Sequence, residues 1–190
     1  MDNIVNINQT YEKVILVNQF LQNKEFEDCV FKNCDFTNTN FGNSSFQDCE
    51  FIDCNLSMLQ VSNTSFKTVS FKNCKLLGIL FHNCNDFLFQ VEFKDCTLDY
   101  ASFANKKMPK TKFENCSMKE TNLENANLTA SIFENCNLDQ TIFNDTNLTT
   151  ANFSTSHHFK IDPEYNILKN AKFSSDGLLG LLDKYDIKIV

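Results

Sequence analysis

Bulky apolar residues return along this chain at every fifth position, a spacing that suits neither an α-helix, whose face repeats at 3.6 residues, nor a strand, whose face repeats at 2. In residues 133–153, FENCNLDQTIFNDTNLTTANF, the series is Phe133, Leu138, Phe143, Leu148 and Phe153. Two residues before each stands a small one: Ser131, Cys136, Thr141, Thr146 and Ala151. A period of five resolves if each unit is a short strand followed by a corner. The small residue and the bulky one two places later then share the inward face, and the remaining residues turn the chain. Each unit is one side of a polygon.

Traced backwards, the bulky positions run Phe26, Phe31, Phe36, Phe41, Phe46, Phe51, Leu56, Val61, Phe66, Phe71, Leu76 and Phe81. They resume at Phe93 and continue through Leu98, Phe103, Met108, Phe113, Met118, Leu123 and Leu128. The step from Phe81 to Phe93 is 12, two units plus two residues, which predicts a two-residue bulge near Asn85 to Phe87. Taking every fourth unit gives a column of phenylalanine alone: Phe31, Phe51, Phe71, Phe93, Phe113, Phe133, Phe153 and Phe173. Four sides of five make a coil of 20 residues, and like residues stack on successive coils at about 4.8 Å. An adjacent column carries Cys34, Cys54, Cys74, Cys96, Cys116 and Cys136, and a corner column carries Asn43, Asn63, Asn83, Asn105 and Asn125. The expected fold is all-β, a four-sided β-helix over 26–173. Residues 1–25, with Tyr11, Leu16 and Leu21 in phase, form an N-terminal cap and first coil.

The end of the chain changes pattern. Leu168 and Phe173 keep the phase, while SHHFKIDPEYN between Phe153 and Leu168 breaks it as a corner loop around Pro163. Residues 174–190 then read as a short capping helix and a strand. Ser174 or Ser175 is the N-cap, Asp176 lies in the first turn, and IKIV is the strand. This helix is richer in leucine than a solvated cap requires. The excess points to a second copy meeting Leu178, Leu179, Leu181, Leu182, Tyr185, Ile187 and Ile189.

Nine cysteines invite a metal or disulfide reading, but all fall at the small inward position and none forms a C-x-x-C pair. Buried free thiols are the expectation. His157 and His158 lack a third ligand, His82 faces outward, and the repeated Asn-x-Ser/Thr triplets follow from the repeat itself. No phosphate loop, nucleophile with an adjacent base, or carboxylate pair appears, so the chain reads as non-enzymatic, without metal or cofactor. The net charge of −7, with no arginine, argues against direct nucleic-acid binding. The one dense basic stretch is KKMPKTK at 106–112. The opening MDNIVNINQT has no signal-peptide pattern and no segment reads as a membrane span, so a cytoplasmic location is expected.

Function then rests on outward residues. Glu25, Glu27, Asp28, Asp35, Asp48, Glu50 and Asp53 stand against Lys24 and Lys32, and a second acidic zone holds Glu114, Glu120, Glu124, Glu134, Asp139 and Asp145 against Lys119. Both zones are net −5, seven acids less two lysines and six less one. Met58, Leu77, Leu80 and Tyr100 fall outward around one corner and form a candidate apolar contact patch. Phe87 and Phe89 beside the bulge either extend it or tuck inward.

This pattern resembles the pentapeptide repeat family, whose unit is usually written A(D/N)LXX and whose fold is a right-handed quadrilateral β-helix. The resemblance covers 26–153, with Phe often in place of the central Leu and Cys or Thr in place of Ala. The ending AKFSSDGLLGLLDKYDIKIV is similar to the helix and strand by which quinolone-resistance members form end-to-end homodimers. The resemblance implies binding to DNA gyrase or topoisomerase IV in place of DNA, with protection from quinolones or a peptide toxin. The acidic residues Glu25, Glu27, Asp28, Asp48, Glu50 and Asp53 would serve that mimicry, although many such relatives also insert long loops and this chain has only the bulge. The alternative is a general protein-interaction scaffold.

Overall fold

A computed structural model describes residues 4–188. The chain is a right-handed, four-sided β-helix. Its first wall is a parallel sheet of Val5–Ile7, Glu25–Glu27, Ser45–Gln47 and Ser65–Lys67. The second is a longer sheet running from Thr10–Glu12 to Ile132–Glu134. Register confirms the coil: Val5 pairs with Glu25 and Glu25 with Ser45, 20 residues apart. The third and fourth walls are held by single parallel bridges, such as Ile15 to Asp35 and Phe20 to Asn40.

Each corner is turned by a left-handed residue two places after the bulky one, from Asn8 (φ 52°) to Thr150 (φ 57°). Most of these are Asn or Asp, which tolerate that conformation better than other non-glycine residues. The asparagines also bond along the axis: Asn38 Nδ2 donates to Asn18 Oδ1 and Asn125 Nδ2 to Asn105 Oδ1, both at 2.7 Å. The expected asparagine column is thus one of four such corners. Asn83 alone leaves the pattern, in a 3-10 turn at Phe81–Asn83.

Inside, the phenylalanine column gains Tyr11 at its foot. From Tyr11 to Phe173 every neighbouring pair is stacked, with centroids 4.5–5.3 Å apart. Rings from adjacent walls meet edge-on, as Phe31 meets Phe36 at 80°. Both arrangements are favoured by the ring quadrupole. In the first coil Asn6 takes the place of a phenylalanine. It is buried, accepts from the Tyr11 hydroxyl at 2.7 Å and donates to the Glu25 carbonyl at 3.2 Å.

The two extra residues appear where expected: Val69 pairs with Val91, 22 residues on. Phe87 and Leu88 project, 68% and 63% exposed, whereas Phe89 turns inward at 7%. The open question of Phe87 and Phe89 is therefore answered one each way. The space behind the loop is filled by Lys106, which is only 1% exposed. Its ammonium donates to the Cys84 carbonyl and to Asp86 Oδ1 at 2.6 Å, and lies 5.1 Å from the centre of the Phe89 ring. One lysine of the basic stretch is thus a core residue.

At the other end, Asp176–Leu178, Leu179–Leu182 and Asp183–Tyr185 form one short helical segment, of which only Leu179–Leu182 is α-helix. Ser174 Oγ accepts from the Gly177 amide at 3.1 Å, so Ser174 rather than Ser175 caps it. Phe159 and Ile161, from the broken repeat, are buried beneath it. Ile187 and Lys188 form no strand. The rest of the expected strand, Ile189 and Val190, lies outside the described residues.

Candidate functional site

All nine cysteines are buried and free. Burial pushes the Cys49 thiol up to about 12 and the Cys84 thiol up as well, so these two are protonated packing groups. His157 and His158 are exposed and share a 3.1 Å contact between Nδ1 atoms, with His158 also at 3.1 Å from Asn137 Oδ1. Among the described residues, no three His, Cys, Asp or Glu side chains converge as metal ligands. No described helix is long and apolar enough to cross a membrane. The outer surface is what distinguishes one region of the tube from another.

The acids separate by wall. Glu25, Glu27, Asp28 and Asp48 lie on the first wall and its far corner, and Glu50 begins the second wall. Asp53 sits beyond the second wall, at the next corner, where it accepts from Asn73 Nδ2 at 2.6 Å. On the second wall Glu114 bonds to Lys94 and, at 2.6 Å, to Lys112. Those two ammonium groups hold the Glu114 carboxyl down at about 2. The second acidic zone is spread around the tube, with Glu134 beside Glu114 on the second wall and Glu120 at a corner position.

The apolar patch assembles at the corner between the third and fourth walls. Met58 (φ 58°) and Tyr100 (φ 63°) occupy left-handed corner positions, with Gly78 (φ 65°) on the coil between them. Bulky residues are strained there, and both are more than half exposed. Met58 lies across Gly78, since a Cβ on that glycine would come within 2.6 Å of Met58 Sδ. Leu80 is 45% exposed and Leu77 is half-buried. Gly78 was not singled out in the sequence, although its corner phase between Met58 and Tyr100 marked it. The fourth wall beside this corner is uncharged: Asn40, Gln60, Leu80, Ser102 and Asn122 follow one another up it.

At the C-terminal cap the expected contact residues divide. Leu181 packs against the chain's own core and Leu182 is half-buried. Leu178, Leu179, Tyr185 and Ile187 are about half exposed and available to a partner. Ile189 lies outside the described residues. Sequence reasoning missed Gly177 and Gly180, whose absent side chains let the helix sit on Phe159: a Cβ on Gly180 would meet the Phe159 carbonyl oxygen at 2.1 Å.

The family described as pentapeptide repeat region matches residues 24–103 and 106–180. No curated protein matches the chain by sequence. Among solved structures, two trypsin-treated variants of QnrB1, a plasmid-mediated fluoroquinolone resistance protein, are similar along their whole length. One is 18% identical with a TM-score of 0.67, covering 95% of this chain and 100% of that one; the other is 16% identical with a TM-score of 0.65, covering 98% and 99%. Full-length QnrB1 gives 17% identity and a TM-score of 0.52, covering 94% and 100%.

Proposed function

The chain belongs to the pentapeptide repeat family, and from that premise we propose that it is a non-catalytic binding protein whose partner is a type II topoisomerase, DNA gyrase or topoisomerase IV. The observation that carries this reading is the likeness of fold to a fluoroquinolone resistance protein over 95% of this chain and the whole of that one. The chain works in the cytoplasm as a homodimer joined through Leu178, Leu179, Tyr185 and Ile187. Contact is by shape and by local acidic surface. Wholesale charge mimicry is unnecessary and would be incomplete: a duplex as long as seven coils, about 34 Å, carries about 20 phosphates, against a net charge of −7.

The test is supercoiling and drug-stabilised cleavage by gyrase from the source organism, with ciprofloxacin, with and without the protein. Relief of drug inhibition at stoichiometric to modest excess supports the reading. Unchanged supercoiling and cleavage at high excess refutes it.

A second reading, an interaction scaffold unrelated to topoisomerases, is favoured by the strained and exposed pair Met58 and Tyr100, with Gly78 on the coil between them. In that case Leu77→Ser with Leu80→Ser abolishes partner binding while the thermal melt is preserved. Retained binding to every partner of the unmodified protein defeats it.

A further inference from the structure

The first wall carries charge of both signs, segregated along its length. At one end Glu25, Glu27 and Asp28 are exposed, with Asp48 one coil on. Four coils on are the exposed Lys107 and Lys110, with half-buried Lys67 between, and the wall continues beyond them through Asn127, Asn147 and Ile167. None of these residues makes an ion pair among the described residues. On the second wall, by contrast, Glu114 bonds to Lys94 and Lys112 within the wall. The acidic and basic groups of the first wall are four coils apart, from the Phe26 coil to the Met108 coil, about 19 Å at the inter-strand spacing. At that distance exposed charges of one molecule are largely screened from each other.

Between them the inserted loop presents Phe87 and Leu88. It is a built feature, pinned from inside by the Lys106 bonds to Cys84 and Asp86 and by buried Phe89. Along the edge between the first and second walls runs a groove of about 330 Å³. Buried Cys49, Val69 and Val91 form its floor, and Asp48, Glu50 and Glu92 line its rim.

We propose that the first wall binds a second copy of this chain side by side, with the two tubes antiparallel. A two-fold axis across the wall at the Phe66 coil sends the acidic group of each copy onto the basic group of the other. A two-fold contact is isologous, so every such pairing occurs twice. Parallel packing would set acids against acids and lysines against lysines, which charge repulsion disfavours. The same rotation carries the Phe87 and Leu88 loop of one copy to the level of the partner's Phe46 coil, where the groove begins at Asp48 and Cys49. The exposed apolar tip is thereby covered, and Lys110 meets Asp28 at the matching corner of the partner, while Lys67 lies near the axis. This contact is separate from the topoisomerase reading and from the end-to-end contact at the cap.

The experiment is sedimentation equilibrium of the full chain at low and high salt, on three proteins: wild type, Glu25→Lys with Glu27→Lys, and Lys107→Glu with Lys110→Glu. All four side chains are exposed, and thermal melts establish that the variants are folded. Salt should weaken wild-type association, as the screening length falls from about 30 Å at 0.01 M to about 3 Å at 1 M. Each variant alone should associate about tenfold more weakly or worse at low salt, and an equimolar mixture of the two should recover association, because the added lysines of one variant then face the added glutamates of the other. An end-to-end contact at the cap adds mass but does not respond to these swaps. Mass independent of salt and of both substitutions, or failure of the mixture to associate, overturns the proposal.

Discussion

Thr121 donates its hydroxyl to the Leu98 carbonyl of the coil below at 2.9 Å. Thr64 does the same to Phe41 at 2.9 Å and Ser156 to Phe133 at 2.8 Å, and Cys54 Sγ does so to Phe31 at 3.3 Å. The inward slot thus often supplies a second donor to a carbonyl of the coil below, since the Leu98 carbonyl also accepts from the Ala101 amide at 3.0 Å, while Ala101, Ala126 and Ala151 fill the slot by size alone. Thr121→Val keeps the shape and removes the donor. It should cost about 1 kcal/mol and at most about 3 in chemical denaturation. Unchanged stability would mean that the Ala101 amide alone satisfies the Leu98 carbonyl. The left-handed corners allow a second substitution. Met58→Asn should raise stability by roughly 0.5–1 kcal/mol, since Asn adopts that conformation more readily. A lower melting temperature would show that the packing of Met58 over Gly78 outweighs the strain.

Among the elements, the C-terminal cap depends most on specific bonds. Lys184 bonds to Asp162 and Glu164, each at 2.7 Å, and Ile161 donates its amide to the Gly180 carbonyl at 2.9 Å. The Lys184 ammonium holds both carboxyls below their usual range. Carboxyl pKa values lowered by folding add stability that is present above the ordinary carboxylate values, about 4, and is lost as pH falls below them. Hydrogen exchange should show the 176–185 segment opening below about pH 4 while the coils stay protected. Equal protection of both would remove the role given to Lys184. Gly180→Ala should undock the same segment at neutral pH, at a cost of about 1–3 kcal/mol from overpacking against Phe159.

For the whole molecule, stability is spread along the axis because each coil touches only its neighbours. Phe113 stacks between Phe93 and Phe133 at 5.3 and 4.9 Å, and Phe113→Ala should cost about 3–5 kcal/mol by leaving a cavity. The loss should concentrate around the Phe113 coil, so hydrogen exchange should weaken there first; a uniform change would argue for a single cooperative unit. Charge also has meaning only at this scale. Glu114 is 20 residues from Lys94 and two from Lys112, so its pairing follows from the coil length.

The five-residue period, the columns and the position of the insertion were legible in the sequence because one steric constraint repeats at every corner and every layer. Phe31 to Phe173 could be placed without coordinates, since each must fill the same slot above its neighbour. Residues outside that register had no such rule. Only the tertiary structure decided that Phe89 turns in while Phe87 and Leu88 project, that Lys106 enters the core to bond to Cys84 and Asp86, and that Gly180 lets the cap meet Phe159. In each of these the deciding neighbour lies on another coil or in a segment that has lost the repeat, and local spacing carries no information about it. The surface is the same case: a repeat fixes which positions face outward, while walls and partners are chosen by which outward residues the coil brings side by side.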